Sequence, residues 1–328
     1  MKMKIKKLLA ASLVAALTAS LFCGCGQKTG NKQKLLGICQ YGEHESLDNC
    51  REGLLEGLKE SGLEDEKDFF VIYQNAGYDD EICTQIGKNF SAKDVVLMCG
   101  IATNAATACF SAAQEKDIPV VFTAVTDPVR ANLTTGNITG TSDKLPVEAQ
   151  LDLIRKLQPE AKKIGIIYTV SEPNSVSAIE EYEEKAEKFG FTIEAIGVKS
   201  QSEVANATDT LILRRVDCFS NLTDNSVVGV LASILEKTNA ALIPVYGSEV
   251  EQVKRGCVAS AGIDYFELGK QTGALAAQII KGEKKAADIP YLTITEYNYY
   301  FNSSAMAKFQ LAVPSEFAEK AIESVQER

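Results

Sequence analysis

From residue 35 onward, short apolar runs alternate with longer stretches whose apolar residues recur at helical spacing. Residues 35–41, 69–75, 95–99 and 118–124 are runs of the buried-strand type. Between them, residues 46–61, 79–92 and 103–116 read as helices, and Leu47, Leu54, Leu55 and Leu58 mark the buried stripe of the first. The rhythm restarts with strands at 163–169, 192–198, 216–221, 241–246 and 257–261, separated by helices at 175–189, 202–213 and 226–238. Strands alternating with helices predict right-handed βαβ units and parallel sheets covered on both faces. Two such series predict an α/β chain of two lobes. A further helix at 265–281, ended by Gly282, and a strand-like stretch at 291–297 follow the second series.

The first 25 residues follow a different pattern. Lys2, Lys4, Lys6 and Lys7 precede an apolar run over 8–22 that ends at Gly24-Cys25. A basic start, a short apolar run and a small residue before the cut describe a secretory signal peptide, and the run is too short for an ordinary membrane span. Leu21-Phe22-Cys23-Gly24-Cys25 resembles the lipobox of bacterial lipoproteins, with Phe22 where leucine is usual. Gly24 sits directly before Cys25, whereas bulky Phe22 precedes Cys23, so Cys25 is the expected lipidation site. Residues 1–24 are then a lipoprotein signal peptide and 25–34, polar and rich in Lys and Gly, a flexible tether. The expected location is the outer face of the cytoplasmic membrane, held by the lipid.

The whole chain carries 34 Lys and Arg against 44 Asp and Glu. Loss of the leader leaves 30 against 44, a net charge of −14 that would repel nucleic acid and excludes it as a partner. About 300 remaining residues exceed one comfortable core, which agrees with two lobes. Beyond Cys25 there are Cys39, Cys50, Cys83, Cys99, Cys109, Cys218 and Cys257, an odd number without a C-x-x-C pair. Neither a disulfide framework nor a metal site is indicated.

In open parallel sheets, ligands bind beyond the carboxyl ends of the strands. Here those ends are polar: Gln40-Tyr41, Thr103-Asn104, Thr123-Ala124-Val125-Thr126, Glu172-Pro173-Asn174-Ser175, Asp224-Asn225, and Tyr246 with Glu249. Each taken alone reads as helix capping or turn chemistry. Because the strand ends of both lobes are furnished alike, these residues are the candidate ligand-binding set for a small polar molecule held between the lobes. An α-amino acid would need both its charges anchored. Hydroxyls and free backbone N–H groups at Thr103, Asn104, Thr123 and Ser175 suit a carboxylate. Asp224, Glu249 or Glu172 suits an ammonium, and Tyr41 and Tyr246 suit an aromatic ring.

Several segments together resemble one known family. They are Gly37-Ile38-Cys39-Gln40 with His44 and Leu47-Asp48, Val121-Phe122-Thr123-Ala124-Val125-Thr126-Asp127-Pro128, Thr139-Gly140-Thr141-Ser142-Asp143 with Leu145-Pro146-Val147, Glu172-Pro173-Asn174-Ser175, and Gly269-Lys270-Gln271-Thr272-Gly273. The chain is similar, from about residue 35 to 290, to the substrate-binding lipoproteins of ABC transporters that include tryptophan and phenylalanine binders. Asn104 departs from the family, which commonly has proline there. The resemblance implies the type I periplasmic-binding-protein fold: two Rossmann-like lobes with parallel sheets, joined by three hinge crossings. It implies residues 35–143 plus 262–290 in the first lobe and 144–261 plus 291–328 in the second. It further implies capture of a small ligand, tryptophan ahead of phenylalanine, and delivery to an ABC permease with its ATPase subunit. A nucleobase, a small peptide or another metabolite remains an open alternative.

Catalysis is not expected. The chain has one histidine, His44, so a Ser-His-Asp or Cys-His arrangement would have to use it. There is no phosphate-binding glycine loop, no His-rich metal spacing and no sign of a cofactor. Repressors share this two-lobe fold, but the leader and the lack of a DNA-binding headpiece argue against one.

Overall fold

The computed structural model describes residues 34–317 and 321–324. The expected leader, Cys25 and all but the last tether residue lie outside the described residues.

The first lobe is built by β1 (Leu35–Gln40), α1 (Glu45–Glu60), β2 (Phe70–Asn75), α2 (Asp80–Ala92), β3 (Leu97–Ile101), α3 (Thr103–Ala113), β4 (Val120–Thr123) and β5 (Ile138–Ser142). The chain then enters the second lobe with α4 (Val147–Leu157), β6 (Lys163–Thr169), α5 (Pro173–Lys185), β7 (Thr192–Val198), α6 (Gln201–Leu213) and β8 (Cys218–Ser220). It continues there through α7 (Asn225–Gly229), α8 (Leu231–Ala240), β9 (Val245–Tyr246), α9 (Val250–Lys254) and β10 (Ala259–Gly262). α10 (Tyr265–Ile280) and β11 (Leu292–Thr293) return to the first lobe. β12 (Asn298–Phe301), α11 (Ser303–Lys308) and β13 (Ala321–Glu323) complete the second.

The first sheet has the order β11-β5-β4-β3-β1-β2, all pairs parallel, with buried β1, β3 and β4 at its centre. In the second lobe β7-β6-β8-β9 are parallel. Backbone bonds from Val258 N to Val245 O (2.8 Å) and from Gly247 N to Ala259 O (3.0 Å) carry this sheet on into β10-β12-β13. β12 runs antiparallel to β10 because the chain enters it from the hinge rather than through a helix.

The first lobe has one core, around Leu36, Ile38, Leu97 and Phe122, and the second has two, around Ile164, Ile166, Tyr182 and Phe301 and around Phe219, Leu231 and Ile234. The seven cysteines from Cys39 to Cys257 are buried and free, packing as small hydrophobes.

α10 is fixed to the first lobe by a seam of small residues. A Cβ on Gly53 would meet Phe266 O at 2.1 Å, and one on Gly57 would meet Lys270 O at 2.2 Å. A Cβ on Gly269 or Gly273 would meet Cys50 O or Leu54 O at 2.2 and 2.3 Å. The two helices touch backbone to backbone, which only glycine permits.

Three expectations are corrected. Residues 291–297 do not form one strand: Leu292 and Thr293 pair with β5, and Ile294 N donates to Ser142 O at 3.2 Å before the chain crosses to β12. The third crossing therefore follows residue 294 rather than 290, because Leu292 and Thr293 cover the edge that β5 would otherwise leave unpaired. The helix expected over 226–238 is two helices, α7 and α8, broken at Val230. β5 and α4 are present although the apolar pattern marked neither.

Candidate ligand-binding cleft

The carboxyl ends of both sheets face one another and are in direct contact. His44 Nε2 lies 3.2 Å from Asn225 Oδ1, and Asn49 Nδ2 donates to Glu251 Oε1 at 2.7 Å. Asn104 Nδ2 reaches Ser171 O at 3.3 Å, and Ser177 Oγ donates to Asp127 Oδ2 at 3.0 Å. At the rim Arg130 grips Glu180 with two guanidinium nitrogens, the second contact being 2.9 Å. Between these contacts the closed lobes leave a small space of about 10 Å³, room for little more than a water molecule. Its walls are His44, Ser46, Leu47, Ala124, Asp143 and Tyr265 from the first lobe and hinge, and Thr223, Asp224, Asn225, Val228, Glu249 and Gln252 from the second.

The two walls differ in charge for a local reason. α1 and α3 begin at the cleft without a side-chain cap, at His44 and Ala102, whereas α2 and α10 are capped by Asp79 and Asp264. The first-lobe wall therefore presents free N–H groups and the positive ends of two helix dipoles. In the second lobe α7 and α9 are closed by carboxylates, whereas α5 begins after Glu172 without a side-chain cap. Asp224 caps α7 through Val227 N at 2.8 Å and also accepts from Thr169 Oγ1 at 2.9 Å. Glu172 accepts from Asn225 N, Asn225 Nδ2 and Ser226 N at 2.7–2.9 Å. Glu249 caps α9 through Glu251 N (2.6 Å) and Gln252 N (3.2 Å).

Burial raises all three carboxyls, with helix N–H donors opposing it. The neighbouring Asp224 adds to the shift at Glu172, which reaches about 7, and Glu251 adds to that at Glu249.

The candidates from the sequence fall into three groups. Ala124, Asp224, Asn225 and Glu249 line the enclosed space. Thr126 stands beside it, donating to Asp143 Oδ1 at 3.0 Å and meeting Thr223 Oγ1 at 3.1 Å. Thr103 Oγ1, Asn104 Oδ1 and Asn174 Oδ1 are buried without partners around the same junction, and Ser175 and Glu172 support α7 from behind it.

Four candidates are occupied elsewhere. Thr123 lies in a buried hydroxyl chain with Thr141 (3.2 Å), which in turn meets Thr272 of α10 at 2.7 Å. Gln40 spends its side chain on Gly42 O, Asp48 and Arg51. Tyr246 belongs to the second core, its O–H donating to Gln158 Oε1 at 3.0 Å. Tyr41 packs edge-on against Tyr78, ring centres 6.0 Å apart.

The sequence set misses His44, Ser46, Asp143, Thr223 and Tyr265. Asp143 is 3% exposed and accepts hydroxyl bonds from Thr126 and from Tyr265 (2.6 Å), with its own backbone N–H as a third donor. A carboxylate has about four acceptor positions, so it retains capacity toward the space. Its place directly after β5 is the signal that would have found it, had β5 been recognised as a strand.

A model of the ABC transporter substrate binding protein family matches residues 36–325. The chain belongs to that family. Members bind a small-molecule ligand outside the cytoplasmic membrane and work with an ABC permease. Family and fold are those of solute-binding proteins, not of enzymes. A tyrosine-binding protein of Clostridioides difficile is 34% identical over 321 residues, 92% of each chain. The structure of an ABC domain in complex with L-Trp from Streptococcus pneumoniae is similar at a TM-score of 0.85 with 32% identity, covering 89% of this chain and all of the other. The ligand-free, open structure of a substrate-binding protein with adhesive properties from Clostridium difficile has 31% identity and covers 90% of this chain and all of the other, but scores 0.67. At nearly the same identity, 32% against 31%, this substrate-binding protein thus matches the ligand-bound relative better than the open one, as its contacts across the cleft require of closed lobes.

Proposed function

We propose that this substrate-binding protein captures an aromatic α-amino acid, tryptophan or tyrosine ahead of phenylalanine, and delivers it to an ABC permease. The observation that carries the reading is the charge asymmetry of the cleft. Uncapped helix starts on the first-lobe wall suit the α-carboxylate, and the buried carboxyls at the hinge and on the opposite wall suit the ammonium. Asp143 is the strongest candidate for the ammonium, since Asp224, Glu172 and Glu249 are already engaged as caps. Leu47 and Val228 supply apolar surface beside these groups. The relatives that bind tyrosine and L-Trp support the ligand class. Closing the lobes buries the ligand and presents the permease with a surface the open form lacks. In this reading Cys25 carries the lipid that holds the protein at the membrane, two acyl chains sufficing for stable attachment. A Cys25→Ser protein that still fractionates with the membrane would refute the anchor.

The chain contains no tryptophan, so bound tryptophan is the only indole in the sample. Its emission should shift to the blue on titration with protein, and tyrosine should compete the signal away. A tryptophan spectrum unchanged at high protein concentration, with no amino acid raising the melting temperature, would refute the ligand class. Nucleobases and small peptides would then be tested in its place.

A further inference from the structure

The inference rests on the aromatic amino-acid reading and narrows it. Asn225 Nδ2 donates to Glu172 Oε2 at 2.7 Å, which orients the amide and leaves Asn225 Oδ1 as an acceptor. His44 Nε2, 3.2 Å from that oxygen, therefore carries the ring proton. Burial holds the imidazole well below its usual range, at about 4, so the ring is neutral and Nδ1 is a bare lone pair. Nδ1 is buried without a partner, on a residue that lines the enclosed space. An unsatisfied buried acceptor is costly, and the occupant of the cleft is the group positioned to satisfy it.

A cation does not suit this point. His44 opens α1, where the helix dipole is positive, and Arg255 adds positive potential at the ring. The ligand's ammonium finds better acceptors in the carboxylates of the same space. The donor that matches Nδ1 is therefore a neutral one. We propose that His44 Nδ1 accepts a hydrogen bond from a neutral O–H or N–H on the ligand's ring, so that His44 selects tyrosine and tryptophan over phenylalanine.

Titration calorimetry of the full chain and of His44→Ala with L-tyrosine and L-phenylalanine tests this. The wild type should favour tyrosine by roughly 10- to 100-fold, the cost of an unpaired buried acceptor. In His44→Ala the ratio should fall toward one, even though losing the Asn225 contact weakens both ligands. A preference absent from the wild type, or unchanged in the variant, overturns the proposal and reduces His44 to a contact between lobes. Because the chain has one histidine, imidazole ¹⁵N spectra of the unsubstituted protein give a second readout. Tyrosine should move the Nδ1 resonance upfield as it gains a donor, and phenylalanine should not. A protonated Nδ1 in the tyrosine complex would overturn the assignment. Failure of the wild type to bind any of the three aromatic amino acids would instead refute the ligand class, and the proposal with it.

Discussion

Tyr265 O–H donates to Asp143 Oδ2 at 2.6 Å, tying the second crossing between the lobes to the first. Asp143 follows β5 at the point where the chain leaves the first lobe, and Tyr265 opens α10 where it returns. The carboxylate is thus held at the hinge by two hydroxyls, Tyr265 and Thr126, and faces the enclosed space. Burial raises its pKa and these bonds oppose the rise. A ligand ammonium would complete its coordination. Asp143→Asn keeps the shape and removes the charge, so affinity for tryptophan should fall by about 2–5 kcal/mol, as when one partner of a buried charge pair is removed. Indole-3-propionate, which lacks the ammonium, should lose much less. Equal losses for both ligands in calorimetry would show that Asp143 shapes the hinge and does not touch the ammonium.

The His44 contact with Asn225 makes closure sensitive to pH. Closing takes the imidazole out of water, and burial, aided by Arg255 and opposed by Asn225 and Asp48, lowers its pKa from 6.5 to about 4. A folded pKa below the reference value means that stability of the closed form is complete above about 6.5 and is lost as pH falls toward 4. Ligand affinity carried by this residue should weaken by up to about tenfold per pH unit in that window. Glu249, raised by burial, has the opposite sign, so the comparison that isolates His44 is wild type against His44→Ala. Between pH 7 and 5 the wild type should lose affinity relative to the variant. Parallel pH profiles would place the ring in water in both states.

Much of this arrangement was legible in the chain, and the omissions share a cause. The apolar runs at β1, β3, β4 and β6 announced themselves because both faces of those strands are buried in hydrocarbon. β5, Ile138-Thr139-Gly140-Thr141-Ser142, is just as buried but by hydroxyls, with Thr141 set against Thr272 and Thr123. A strand that satisfies its core contacts with threonine gives no hydrophobic signal, and missing it hid Asp143 at its end. Thr123 reads as a cleft hydroxyl from its place at a strand end, yet its hydroxyl is taken up in the core by Thr141 and by Cys50 of α1. Strand position gives the end of the sheet, whereas side-chain direction depends on register, which a short run does not fix. Tyr246 fails for the same reason. The acids at 172, 224 and 249 stand at the strand ends as expected, but each is a helix cap, a role that residue type and position share with ligand binding.

The glycine seam between α1 and α10 should tolerate no Cβ. Gly57→Ala and Gly269→Ala each place a methyl 2.2 Å from a backbone oxygen of the facing helix, which cannot move aside as a side chain can. Overpacking of this kind costs about 1–3 kcal/mol, and the backbone contact argues for the upper end. Each substitution should lower the melting temperature by roughly 5–10 °C. An unchanged melting temperature would mean that the two helices do not touch, and α10 would lose its assignment to the first lobe.

Ala102 holds the most strained backbone at the cleft, with φ 78° and ψ 159°, a region otherwise left to glycine. Its N–H donates to Thr123 O at 3.0 Å, and its C=O accepts from Ala106 N at 2.9 Å, so strand β4 and helix α3 together enforce the conformation. The turn it makes leaves the first N–H groups of α3 uncapped at the cleft, beside the unpaired Thr103 Oγ1 and Asn104 Oδ1. Such strain costs on the order of 1–3 kcal/mol. Ala102→Gly removes it and gives back about 0.5–1 kcal/mol in chain entropy, so the unliganded protein should gain roughly 1 kcal/mol. The freer backbone holds those N–H groups less firmly toward a carboxylate, so ligand affinity should fall severalfold as the melting temperature rises. Ala102→Val, with a branched Cβ in the same conformation, should lower the melting temperature instead. Should Ala102→Gly melt lower than the wild type, the cleft floor is not strained and the alanine is there for its packing.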